Sequence, residues 1–90
     1  MIARKFLISG MVQGVGYRFF AQRAAAQHQV KGYVRNLDDG RVEVLAEGSP
    51  AIVEAFKNDL AAGPGYATVE NIEEISVEPT GWHSLFRIER

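Results

Sequence analysis

The 90-residue chain contains no cysteine, which excludes disulfides, thiolate zinc sites and cysteine nucleophiles. Its two histidines, His28 and His83, are too few for a typical histidine-based metal site. No apolar run approaches the length of a membrane span, and the apolar stretch in the opening MIARKFLISG is too short for a signal peptide. The expectation is a cytoplasmic protein with no membrane partner. There is no linker, repeat or low-complexity segment, so residues 1–90 read as one domain. Acidic residues are missing from the first 36 positions, where Arg4, Lys5, Arg18, Arg23, Lys31 and Arg35 give a formal +6. The other four cations and all 11 acids lie beyond, at −7, so the net −1 conceals a polarised chain. An acid-free segment suits an anion site that avoids like-charge repulsion.

What is present is a core's worth of apolar residues, 47% of the chain, with clear local punctuation. RKFLIS reads as a short buried strand, and Phe19 to His28 as a helix with an alanine-rich centre. KGYVRN and RVEVLAE read as strands joined by LDDG, a hairpin signal. In SPAIVEAFKNDLAAGPG, Ser49 can cap a helix and Pro50 suits its first turn. Ile52, Val53, Phe56 and Leu60 form its apolar face, and Gly63 and Pro64 stop it. TVENIEEISVEP reads as a strand with Ile75 and Val77 on one face, and LFRIER as a last short strand with Phe86 and Ile88 inward. The order β-α-β-β-α-β plus a terminal strand predicts an α+β, ferredoxin-like α/β sandwich. Its sheet is antiparallel with two helices on one face.

The segment GMVQGVGYRFF lies between the first strand and the first helix. Glycine admits positive φ and leaves no side chain between backbone and ligand. Gly14 and Gly16, alternating with Gln13, Val15 and Tyr17, can turn several N–H groups toward one point beside a helix N-terminus, which is how backbone binds an anion. Arg18 follows, with a planar fork suited to two phosphate oxygens. The alternative is a tight connection whose glycines answer only to sterics. The segment is neither a Walker loop, for want of a lysine after the glycines, nor a dinucleotide fingerprint, for want of the third glycine.

Asn36 ends the strand before the LDDG turn. An amide donates and accepts without titrating near neutrality, and in the expected fold Asn36 and Arg18 face one cavity. Alternatively Asn36 is a turn residue capping its own backbone. No general base, cysteine or metal set lies near the loop, His28 and His83 read as surface residues, and Asp38, Asp39 and Glu43 read as hairpin residues. Amides, one Arg and one Asn can bind phosphate and place a water. They cannot protonate a poor leaving group, so the pattern suits a phosphate whose leaving group departs unaided, such as a carboxylate.

These residues resemble the acylphosphatase family. Its motif G-x-V-Q-G-V-[GF]-[FY]-R is met by Gly10, Val12, Gln13, Gly14, Val15, Gly16, Tyr17 and Arg18. Its motif G-[FYW]-V-x-N-x-x-D-G-x-V-E is met by Gly32, Tyr33, Val34, Asn36, Asp39, Gly40, Val42 and Glu43. The resemblance spans essentially the whole chain. It implies a ferredoxin-like sandwich that hydrolyses small-molecule acyl phosphates as a monomer, without metal or cofactor. Phosphate would be bound by Gln13, Gly14, Val15, Gly16, Tyr17 and Arg18, with Arg18 and Asn36 catalytic and Asn36 orienting the water. Inorganic phosphate or sulfate would compete. Gln29, where the family often has glycine, and Gly65, where a proline is common, depart from the pattern.

Two other readings arise. KGY at 31–33 starts an RNA-recognition motif, but Val34 and Arg35 break it, and a pI of about 6.1 disfavours nucleic acid. Similar domains also occur inside hydrogenase maturation proteins that process carbamoyl phosphate, a chemistry that uses the same site.

Overall fold

The computed structural model describes all of Met1–Arg90. Seven elements follow in order: β1 (Ile2–Met11), α1 (Tyr17–His28), β2 (Lys31–Asn36), β3 (Val42–Gly48), α2 (Pro50–Ala62), β4 (Thr68–Val77) and β5 (Phe86–Glu89). They form one sheet of order β4-β1-β3-β2-β5. Both helices cover one face, around a core that includes Phe6, Ile8, Tyr17, Val44, Phe56 and Leu60. No helix is long and apolar enough to cross a membrane.

Local chemistry explains most of these elements. Ser49 accepts the Ile52 N–H at 3.4 Å, Pro50 opens α2, and Gly63 closes it at φ 69°. Val53, Phe56 and Leu60, three and four residues apart, are buried. On α1 the buried positions Tyr17, Ala21, Ala24 and Ala25 follow the same period, and the three alanines let the helix lie close to the sheet.

The structure departs from the sequence reading in three places. The central strands β4, β1, β3 and β2 pair antiparallel as expected, but β5 pairs parallel to β2, so the five-stranded sheet is mixed. The chain leaves β4 at one edge and reaches the other by crossing the face opposite the helices. Thr80 fastens this crossing by donating its N–H (2.8 Å) and its hydroxyl (3.2 Å) to Glu47. Second, Ile75 is not a core residue, being 36% exposed. Val69 and Ile72 pack on the core instead. The register slips between Ser9 and Gly10, so Gly10 faces Val69 while Ile8 faces Ile72, and two residues three apart share a face. Glu74, opposite Phe6, points to the helix side, where Lys57 and Arg4 pair with it. Third, α1 begins two residues before Phe19, at Tyr17, which places Arg18 in its first turn.

Gln29 closes α1 in the left-handed region, at φ 58° and ψ 35°, and it is the one non-glycine residue with positive φ. Such a cap costs an L-residue about 1 kcal/mol relative to glycine. Gln29→Gly is therefore expected to raise stability by about 1 kcal/mol, read as a higher denaturant midpoint at constant slope. An unchanged or lower midpoint would contradict this.

Candidate active site

The first strand delivers the chain to a four-residue turn, Gln13–Gly16, that leads straight into α1. Gly14 and Gly16 take φ of 75° and 80°, values an L side chain adopts only with strain. Gly16 is also the N-cap, and no side chain caps the helix there. No backbone hydrogen bond uses an N–H from residues 13–19; the first is Phe20 N–H to Gly16 O at 3.2 Å. A row of unpaired amides thus sits at the positive end of a helix dipole, with no acidic residue in the first turn to answer it.

The turn is held in place from outside. The Gln13 amide donates to Leu37 O (2.7 Å) and Arg41 O (2.8 Å), tying it to the β2–β3 hairpin. The same hairpin closes on itself through Leu37 N–H to Arg41 O at 2.8 Å. Tyr17 is buried and donates its hydroxyl to Leu60 O at 2.7 Å, pinning the first turn of α1 to α2. Burial pushes the Tyr17 phenol well above its ordinary range, so it stays neutral and serves no acid–base role.

Val12, Gly14, Gly16, Tyr17, Arg18, Phe19 and Asn36 line a cavity of about 100 Å³. Of the residues expected at the site, Gly14, Gly16, Tyr17, Arg18 and Asn36 are brought together here. The Gln13 side chain is directed to the hairpin, and Val15 packs against the core. Arg18 takes part in none of the six ion pairs. It donates one N–H to Glu89 O at 3.1 Å, which anchors the guanidinium on the end of β5 and leaves its other donors free. Asn36 makes no side-chain hydrogen bond to its turn. Its Oδ1 is buried without any partner, and no other side-chain nitrogen or oxygen in the protein is in that position. A buried unpaired carbonyl costs about 1–3 kcal/mol, so something outside the protein is its natural complement.

No carboxylate or imidazole lines the cavity. Glu43 is buried on the other face of the sheet, where it accepts from the Tyr33 hydroxyl (2.8 Å) and Arg35 Nε (2.9 Å). Burial and the Glu43 bond push the Tyr33 phenol up to about 12. His28 Nε2 bonds Asp59 at 2.7 Å and ties α1 to α2, so it is a half-buried link rather than a free surface group. No group of three or more His, Cys, Asp or Glu side chains is arranged to hold a metal. The sequence reading missed two contributors. Glu89 acts through its carbonyl, which leaves no trace in residue type, and Phe19 reads as an ordinary helix residue until its 66% exposure at the cavity mouth is seen.

The acylphosphatase family profile matches residues 4–88. The chain belongs to the acylphosphatase family. An acylphosphatase from Solibacter usitatus is 51% identical over 86 residues, which cover 96% of this chain and 88% of that one. The crystal structure of the acylphosphatase from Bacillus subtilis matches with a TM-score of 0.95 and 34% identity, covering 100% of both chains. A larger protein also contains the fold: the crystal structure of T. kodakarensis HypF matches 100% of this chain with 12% of its own length, at a TM-score of 0.87 and 36% identity. As an acylphosphatase, the protein is a hydrolase that splits the carboxyl–phosphate bond of small acyl phosphates into carboxylate and phosphate.

Proposed function

We propose that the backbone N–H groups of residues 13–18, together with Arg18, hold the phosphoryl group of the acyl phosphate, and that Asn36 orients the water that attacks it. The observation that carries this reading is the buried, unpartnered Asn36 Oδ1 in the same cavity as Arg18 and the turn. A water donating to Oδ1 satisfies that atom and turns its lone pair toward phosphorus. Phosphoryl transfer passes through a loose transition state, so positioning and charge stabilisation matter more than proton abstraction. The amides and the guanidinium supply the charge stabilisation. The carboxylate leaves without protonation, and the water's proton passes to a phosphoryl oxygen.

We further propose that residues 1–90 work as one domain and as a monomer in the cytoplasm. Both helices and the sheet share one hydrophobic core, as a single domain requires. Acyl phosphates are short-lived in water, which favours an enzyme close to where they form. Because the cavity offers no carboxylate or imidazole, hydrolysis of acetyl phosphate is expected to persist in full after exhaustive chelation with EDTA. Loss of most activity, restored by a divalent ion, would overturn the mechanism.

A further inference from the structure

β5 is an edge of the sheet, with β2 as its only neighbour. The Gly32 N–H bonds Leu85 O at 3.2 Å, and Gly32 lies opposite Phe86 in the parallel register. Bonding groups alternate sides along a strand, so Leu85 and Arg87 direct theirs at β2. Phe86 and Ile88 turn their N–H and C=O groups to the open side, a template for one more strand. A cleft flanks this edge on each face of the sheet. On the helix side, a cleft of about 820 Å³ between α1 and β5 has Phe19, Arg23, Ala26, Lys31 and Phe86 among its walls. On the other side, a cleft of about 270 Å³ is walled by Trp82, His83, Arg87 and Glu89. Ser84 and Leu85 line both, so the two clefts meet at the start of β5. Leu85 is 54% exposed and Trp82 81%, an apolar rim around an open edge. Arg23, Lys31 and Arg87 take part in no ion pair, and Glu89 is the one acid lining either cleft.

We propose that the β5 edge is a docking site for an extended acidic segment of a partner protein, which joins the sheet as a further strand. Successive side chains of a strand point to opposite faces. The added strand therefore places alternate side chains in the two clefts. Its main-chain bonds to Phe86 and Ile88 give affinity, and the clefts give specificity. On the helix side, acidic side chains lay their stems on the apolar wall and their carboxylates beside Arg23 and Lys31. On the other side, apolar side chains cover Trp82 and Leu85. Charge makes a second copy of this chain the poorer occupant, because two β5 edges side by side would set the unpaired cations of both copies against one another.

Trp82 is the one tryptophan of the chain and lies in the outer cleft, so its emission reports docking without a label. The probe is an end-blocked peptide of alternating glutamate and leucine, about six residues long, with an alternating lysine and leucine peptide as control. The acidic peptide is expected to shift Trp82 emission to shorter wavelength, saturably and with a Kd below about 1 mM, matched by calorimetry. The basic peptide should leave the emission unchanged. Arg23→Glu combined with Lys31→Gln, both at exposed positions, should weaken the acidic peptide about tenfold. N-methylation of alternate residues in the peptide separates strand pairing from general adhesion. One alternate set of amides faces β5, so one methylated peptide should lose binding and the other keep it. No binding of the acidic peptide, equal behaviour of the two methylated forms, or binding unchanged in the double variant overturns the proposal. Dimerisation of the free protein that covers Trp82 in place of the peptide would make a second copy the occupant and overturn it as well.

Discussion

Asn36→Ala is expected to lower kcat for acetyl phosphate by about 10²-fold or more, the scale set by misplaced reacting groups, and to leave inhibition by inorganic phosphate intact. The division follows from geometry. The turn amides and Arg18 can hold a phosphoryl group without Asn36, whereas the Oδ1 atom is what stands ready for a water. An interaction made with the attacking water appears in the chemical step and barely in ground-state binding. Asn36→Asp should be nearly as impaired, since a carboxylate still accepts from water but repels the phosphoryl oxygens and no longer donates. Were Asn36 a turn cap, stability would instead fall by about 0.5–2 kcal/mol with kcat unchanged in the folded fraction. The hairpin closes through Leu37, Gly40 and Arg41 backbone groups and through Gln13, with no bond from Asn36, so its removal should cost the fold little. Denaturation midpoints and steady-state kinetics on the same two variants separate the outcomes.

Arg18→Gln is expected to act on both binding and chemistry. Its guanidinium faces the cavity with only one N–H engaged, on Glu89 O. It should therefore contact the phosphoryl oxygens in the ground state and more strongly as their charge changes in transfer. KM should rise and kcat should fall about 10²–10³-fold, the effect of removing one preorganised charge-stabilising donor. Arg18→Lys should recover little, because an ammonium lacks the fork that bonds the backbone carbonyl and the phosphate together. If Arg18→Gln kept normal inhibition by phosphate and lost only stability, the residue would be a strut between α1 and β5 and the anion site would lie elsewhere.

How far the sequence could be read depended on how local each determinant is. Ser49, Pro50 and Gly63 bracket α2 because caps and stops are written within one turn of the helix they bound. The β2–β3 hairpin was legible for the same reason. The face of β4 was not, because it depends on a register slip opposite Gly10, some 60 residues away in the chain and invisible to alternation within β4. The parallel course of β5 was likewise set by the sheet crossing that Thr80 fastens to Glu47, a contact between distant positions. At the site, Gly14, Gly16, Arg18 and Asn36 stood out by residue type, and the structure lines one cavity with all four. The tether from Gln13 to the hairpin, the Glu89 carbonyl behind Arg18 and the cleft beyond Phe19 arise from side-chain direction and main-chain atoms, which residue type does not encode.

In the proposed mechanism the 13–18 turn and Arg18 form the phosphate site, and Asn36 stands outside ground-state binding. A titration of the ¹⁵N-labelled protein with inorganic phosphate, followed through the backbone amide resonances, tests it most directly. Saturable shifts are expected on residues 13–19, where no amide has a backbone acceptor, unchanged in Asn36→Ala and strongly weakened in Arg18→Gln. Saturable shifts centred elsewhere, or shifts at the turn that survive Arg18→Gln undiminished, would contradict it.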